Sequence, residues 1–79
     1  MNTQKELNYY LKLKWSYTIE QEKDYYIIRV NELPGVCTDS ETVETGLKKI
    51  KEAIRAAIKL YLKNGEHIPE PTEKSRVSH

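Results

Sequence analysis

The sequence predicts an α+β fold in which a three-stranded antiparallel sheet is packed by one long helix, in the order β-β-β-α. Three observations carry the prediction. A stripe of apolar residues with helical period runs through Thr42 to Gly65. Two stretches before it, Tyr9 to Glu20 and Tyr25 to Asn31, have the alternation and the β-branched and aromatic content of strands. A Pro-Gly break at Glu32-Leu33-Pro34-Gly35 then separates the second strand from a short third one, Val36 to Glu41.

Residues 1 to 8 are polar and are expected to be flexible or to form a short turn of helix. From Tyr9 to Glu20, Tyr9, Leu11, Leu13, Trp15, Tyr17 and Ile19 alternate with Tyr10, Lys12, Lys14, Ser16, Thr18 and Glu20, as in a half-buried strand. Gln21 to Asp24 is a polar stretch of hairpin-loop length. In the second strand Tyr26, Ile28 and Val30 are expected to face the helix. Pro34 lacks a ladder donor and Gly35 accepts conformations that other residues resist, so the strand stops there.

The helix is the best-marked element. Val43, Leu47, Ile50, Ile54, Ile58 and Tyr61 lie on one side, and Lys48, Glu52, Arg55, Lys59 and Lys63 on the other. Thr42 is a good N-cap, Glu44 suits the positive end of the helix dipole, and Asn64-Gly65 supplies a stop. Gly46, Ala53 and Ala57, with Leu60 beside them, widen the apolar arc beyond what one sheet covers. Either the sheet wraps the helix or a second molecule covers this flank. After Gly65, Ile68-Pro69-Glu70-Pro71 reads as extended and stiff. Residues 72 to 79 are expected to be flexible, or to add a short C-terminal edge strand here or on a neighbouring molecule.

With 79 residues, 38% of them hydrophobic and 32% charged, the chain has room for one domain and a marginal core, so a partner or self-association (a dimer or tetramer) is expected. A net charge of +1 gives no global drive toward nucleic acid or membrane. The single cysteine, Cys37, suits a reducing cytoplasm, and no run of apolar residues is long enough to span a membrane or direct export.

The order of these features resembles the HicB family of antitoxins over roughly residues 9 to 71. The anchors are the tyrosine-rich first strand, the Glu32-Leu33-Pro34-Gly35 turn, Cys37, Thr42 at the helix start, Ala53 midway along the helix, and Ile68-Pro69-Glu70-Pro71 after it. The resemblance implies a partial ribonuclease-H-like fold. It also implies a protein that performs no catalysis and holds no cofactor or metal, but binds and occludes a HicA-type toxin, a small ribonuclease that cleaves messenger RNA. Two departures are visible. Thr45-Gly46 stands where the family usually has Glu-Ala, which removes a reciprocal capping contact. The residues after Pro71 are too few for the C-terminal DNA-binding domain that many members carry, so direct DNA binding by this chain is not expected.

Candidate catalytic groups read as structural or solvated. Asp24, Glu32, Asp39 and Glu41 are turn and cap acids that no spacing converges on a metal pair. His67 and His79 have no recognisable nucleophile beside them, and Cys37 reads as a small buried side chain. The expected interface residues are Tyr10, Tyr25, Ile27 and Arg29 on the outer sheet face, with Lys12 and Lys14 beside them, and Ala53, Ala57 and Leu60 on the helix flank. An aromatic and basic face could dock a protein or, alternatively, stack single-stranded nucleic acid. Glu20, Glu22, Asp24, Glu32, Asp39 and Glu41 offer a competing acidic surface that suits a basic, RNA-binding toxin better.

Overall fold

The computed structural model describes residues 3–71. Its elements are α1 (Thr3–Leu11), β1 (Tyr17–Gln21), β2 (Tyr26–Val30), β3 (Cys37–Ser40) and α2 (Val43–Asn64). The strands form one antiparallel sheet in the order β1-β2-β3, with Ile19 opposite Ile28 and Ile28 opposite Thr38. The expected α+β architecture of a three-stranded sheet under one long helix is present, with a short N-terminal helix added to it. The candidate C-terminal edge strand and His79 lie outside the described residues.

Helix α2 begins and ends where its local chemistry dictates. The Thr42 side chain accepts a hydrogen bond from the Thr45 amide at 3.1 Å, satisfying a donor that the first turn leaves unpaired. At the other end Gly65 takes a left-handed conformation with φ 69°. Its amide reaches the Leu62 carbonyl while the Glu66 amide reaches the Tyr61 carbonyl at 3.0 Å, the paired bonds of a Schellman ending.

The stripe buries as its period requires. Ile50, Ile54 and Ile58 are almost wholly enclosed, together with Ile28 and Val30 from β2. Leu33 is equally buried: the turn that breaks β2 folds its side chain under the sheet. In that turn the Val36 amide donates to the Leu33 carbonyl at 3.0 Å, with Pro34 second and Gly35 third at φ 89°, as a type II turn demands.

Gly46 sets how closely α2 approaches the sheet. It is buried where α2 crosses the sheet, and a Cβ there would meet the Ile28 Cδ1 at 2.3 Å and the Ser40 Cβ at 3.2 Å. The missing Cβ therefore permits a closer helix-to-sheet approach. The wide apolar arc of α2 is resolved in part by that approach and in part by α1, which packs against α2 and contributes Leu7, only 1% exposed.

Helix α1 corrects the sequence reading in two places. Residues 3 to 8 are helical and carry a core side chain, and the strand expected from Tyr9 begins only at Tyr17. Leu7, Tyr10 and Leu11 stand at i, i+3 and i+4, and that helical spacing prevails over the alternation of Tyr9, Leu11 and Leu13 because it seats Leu7 in the core. Trp15 closes the connection by donating its indole N–H to the Tyr10 carbonyl at 3.1 Å. The tail returns to the same region. Ile68 is buried, and the Tyr9 hydroxyl donates to Glu70 at 3.2 Å, which raises the Tyr9 pKa because ionisation would forfeit the hydrogen bond and set two negative charges together.

Candidate interaction face

Helix α2 packs on β2 and β3, which leaves the opposite face of the whole sheet open. Strand alternation decides what that open face shows. Thr18, Glu20, Tyr25, Ile27, Arg29, Cys37 and Asp39 point outward, while Tyr26, Ile28 and Val30 point toward the helix as expected. Across the strands Glu20, Ile27 and Asp39 form one row, and Thr18, Arg29 and Cys37 form the next.

The face is framed by acids. Glu20 and Asp39 flank the half-buried Ile27, and beyond them Glu22 and Glu41 lie toward the end of the sheet where Tyr25 is 41% exposed. Tyr25, Asp39 and Glu41 line one open recess with Thr42, Thr45 and Lys49. Arg29 is the strand cation here. It pairs with Glu20 at 2.5 Å, and this bond and charge raise the guanidinium pKa further above its ordinary value, with Cys37 and Glu22 adding to the effect. Both side chains are about half exposed, so the pair orients the face more than it stabilises the fold.

The structure separates the expected interface residues. Tyr25, Ile27 and Arg29 do share the outer face. Tyr10 does not: it lies in α1, half-buried and edge-on to Tyr9 at 5.0 Å, packed against the core. Lys12 and Lys14 leave the sheet with it, because the chain from Thr3 to Leu11 is helical and the next five residues form a connection. The aromatic and basic face suggested for nucleic acid is therefore not assembled. Ala53 and Ala57 are half-buried on the flank of α2, and Leu60 beside them is 59% exposed, next to a recess formed with Pro34, Gly35, Val36 and Tyr61.

Two further readings change. Cys37 is exposed rather than buried, since its position on β3 turns it to the face no helix covers. Glu32 is not a free turn acid. It accepts from the Ser16 amide at 3.0 Å and the Ser16 hydroxyl at 2.6 Å, while the Asn31 side-chain amide donates to that same hydroxyl at 3.0 Å. This network ties the entrance of β1 to the exit of β2. Only the Asn31-Glu32 pair at a strand end hinted at it. Tyr17, nearby and half-buried, has its pKa raised by burial first and by the Glu32 charge second.

Among the described residues no group of three or more His, Cys, Asp or Glu side chains is placed to hold a metal ion. Likewise, no described helix is long and apolar enough to cross a membrane. A groove of about 420 Å³ that sequence reasoning missed runs between α2 and the start of β1, lined by Leu11, Leu13, Trp15, Tyr17 and Ile54 with the charged residues Lys51, Glu52 and Arg55.

Fold and face together define a small one-sided α+β sheet module. No family model and no solved structure matches the chain. It is 37% identical over 68 residues to a UPF0150 protein of Thermoplasma acidophilum, covering 85% of this chain and 99% of that one. It is also 32% identical over 59 residues to a UPF0150 protein of Archaeoglobus fulgidus, covering 71% and 86%. The chain belongs to the UPF0150 family.

Proposed function

We propose that this protein is an antitoxin-like module of a type II toxin–antitoxin pair that binds and occludes a HicA-type, messenger-RNA-cleaving toxin, without catalysis of its own. The observation that carries the reading is the open sheet face. Glu20, Glu22, Asp39 and Glu41 surround Tyr25 and Ile27, with Arg29 already engaged by Glu20. A ribonuclease must present cations to its RNA, so an acid-framed apolar strip complements its substrate surface and can exclude the substrate sterically. The ordered Leu33-Pro34-Gly35 turn, the Thr42-capped helix and the Ile68-Pro69 return support the likeness to the HicB family and its partial ribonuclease-H-like fold.

The test is stoichiometric inhibition of a purified HicA-type ribonuclease, followed by RNA cleavage. One equivalent of the protein is expected to silence the toxin. Glu20→Lys together with Asp39→Lys is expected to weaken binding at least tenfold, with an association rate that falls as salt rises. Absence of binding, or inhibition unaffected by the double charge reversal, would count against this reading.

A further inference from the structure

A net charge of +1 conceals a separation of charge across the molecule. Glu20, Glu22, Asp39 and Glu41 frame the outer sheet face, whereas α2, packed on the other side, carries six basic residues and only two acidic ones. Five of the six cations form one row. Lys48, Lys51, Arg55, Lys59 and Lys63 follow one another at steps of three, four, four and four, and every one is exposed. At about 1.5 Å per residue the row is about 22 Å long. Its direction is fixed, because Ile50, Ile54 and Ile58 on the reverse side of the helix are buried in the core.

The row exceeds what a solvated helix surface requires. Lys59 and Lys63 suit the negative end of the helix dipole, but Lys51 and Arg55 stand mid-helix, beyond its influence. Lys51 with Arg55, Arg55 with Lys59 and Lys59 with Lys63 are like charges four residues apart, an arrangement that destabilises a helix. Glu52 is the one acid between Lys48 and Lys63. Residues 72–79 cannot neutralise the row, since they supply a single acidic side chain, Glu73, against Lys74 and Arg76.

We propose that this ridge binds the phosphate backbone of duplex DNA without reading its sequence. A polyanion converts the mutual repulsion of the cations into attraction, and release of the counterions condensed on the duplex drives association. With about one negative charge per 1.7 Å of its axis, a duplex meets the row along its whole length. Other polyanionic surfaces fit less well. Tyr61, the one aromatic residue of α2, packs against the core, so the ridge offers no ring on which single-stranded bases would stack. A bilayer would need the apolar side of α2 to enter it, and that side is buried. The ridge requires no C-terminal DNA-binding domain. It lies opposite the acid-framed face, and the proposal stands whether or not that face binds a toxin.

The experiment follows the fluorescence anisotropy of a labelled duplex of arbitrary sequence, titrated with the full chain at increasing salt. Binding is expected at low salt, with log affinity falling against log salt at a slope of about −4, as for about four to five phosphate contacts. Arg55→Gln and Lys59→Gln should each reduce that slope by about one, and together they should weaken low-salt binding about tenfold or more. Lys23→Gln removes the same charge from the loop between β1 and β2 and should leave the slope unchanged. All three side chains are exposed, so the helical signal of every variant should match that of the parent. The proposal is overturned by no duplex binding at low salt, by a slope that the ridge substitutions leave unchanged, or by an equal loss from Lys23→Gln. Tighter binding to a single strand of the same sequence, or binding confined to phosphatidylserine vesicles, would overturn it as well.

Discussion

Replacing Gly46 by alanine sets two effects against each other at one atom. In a helix interior alanine is favoured over glycine by about 1 kcal/mol. Here the added methyl would lie 2.3 Å from the Ile28 Cδ1 and 3.2 Å from the Ser40 Cβ. Ile28 is fully buried, so its terminal methyl has no free space to enter, and overpacking of this kind costs about 1–3 kcal/mol. Gly46→Ala is therefore expected to destabilise the protein by about 1 kcal/mol, a fall in Tm of about 4–8 °C for a domain of this size. Ile28→Val removes the obstructing Cδ1 and should by itself cost about 1 kcal/mol. In the double variant the clash is gone and the helix gain remains, so its stability should return to near that of the parent. The resulting coupling of about 2 kcal/mol can be read from urea midpoints in a double-mutant cycle. An alanine variant more stable than the parent, or additive effects in the cycle, would show that α2 does not approach the sheet as closely as described.

Three other perturbations test separate parts of the fold. Leu7→Ala should cost about 2–5 kcal/mol in chemical denaturation, as for a core leucine; a loss near zero would restore the picture of a frayed leader. Thr42→Ala removes the acceptor for the Thr45 amide and should cost about 1 kcal/mol, with a matching loss of helical signal near the transition. Tyr17 has a folded-state pKa above its ordinary value of 10.0, so the unfolded chain ionises first. The stability tied to its neutral form is complete below pH 10 and is lost as pH rises through the folded value. Tyr9 contributes in the same direction. Urea midpoints should fall above pH 10, and Tyr17→Phe should make that fall shallower.

Much of the helical half was legible in the residues because its signals are local. The Thr42 cap, the Gly65 stop and the spacing of Ile50, Ile54 and Ile58 act within a few residues of one another. The second strand and its helix-facing residues were legible for the same reason. The first twenty residues were not, because both strand and helix templates fit them: Tyr9, Leu11 and Leu13 alternate, while Leu7, Tyr10 and Leu11 keep helical spacing. A nine-residue helix is marginal by itself, and what stabilises it is contact with α2. Tyr25, Ile27 and Arg29 share the outer sheet face, as their alternation predicted, because that alternation runs along β2 and the residue just before it. Tyr10 was misplaced because its strand does not exist there, and Cys37 because burial depends on which sheet face a distant helix covers.

The chain's own residues thus determined where α2 starts and stops, which side of it is apolar, and where β2 must turn, since capping groups, period and Pro-Gly geometry act between near neighbours. Only the tertiary structure decided that the N-terminal segment is a helix, that Gly46 seats α2 against Ile28, and that Lys49 reaches across to the outward Asp39 carbonyl of β3. Each of these depends on volume and on unpaired backbone groups shared between elements far apart in the chain.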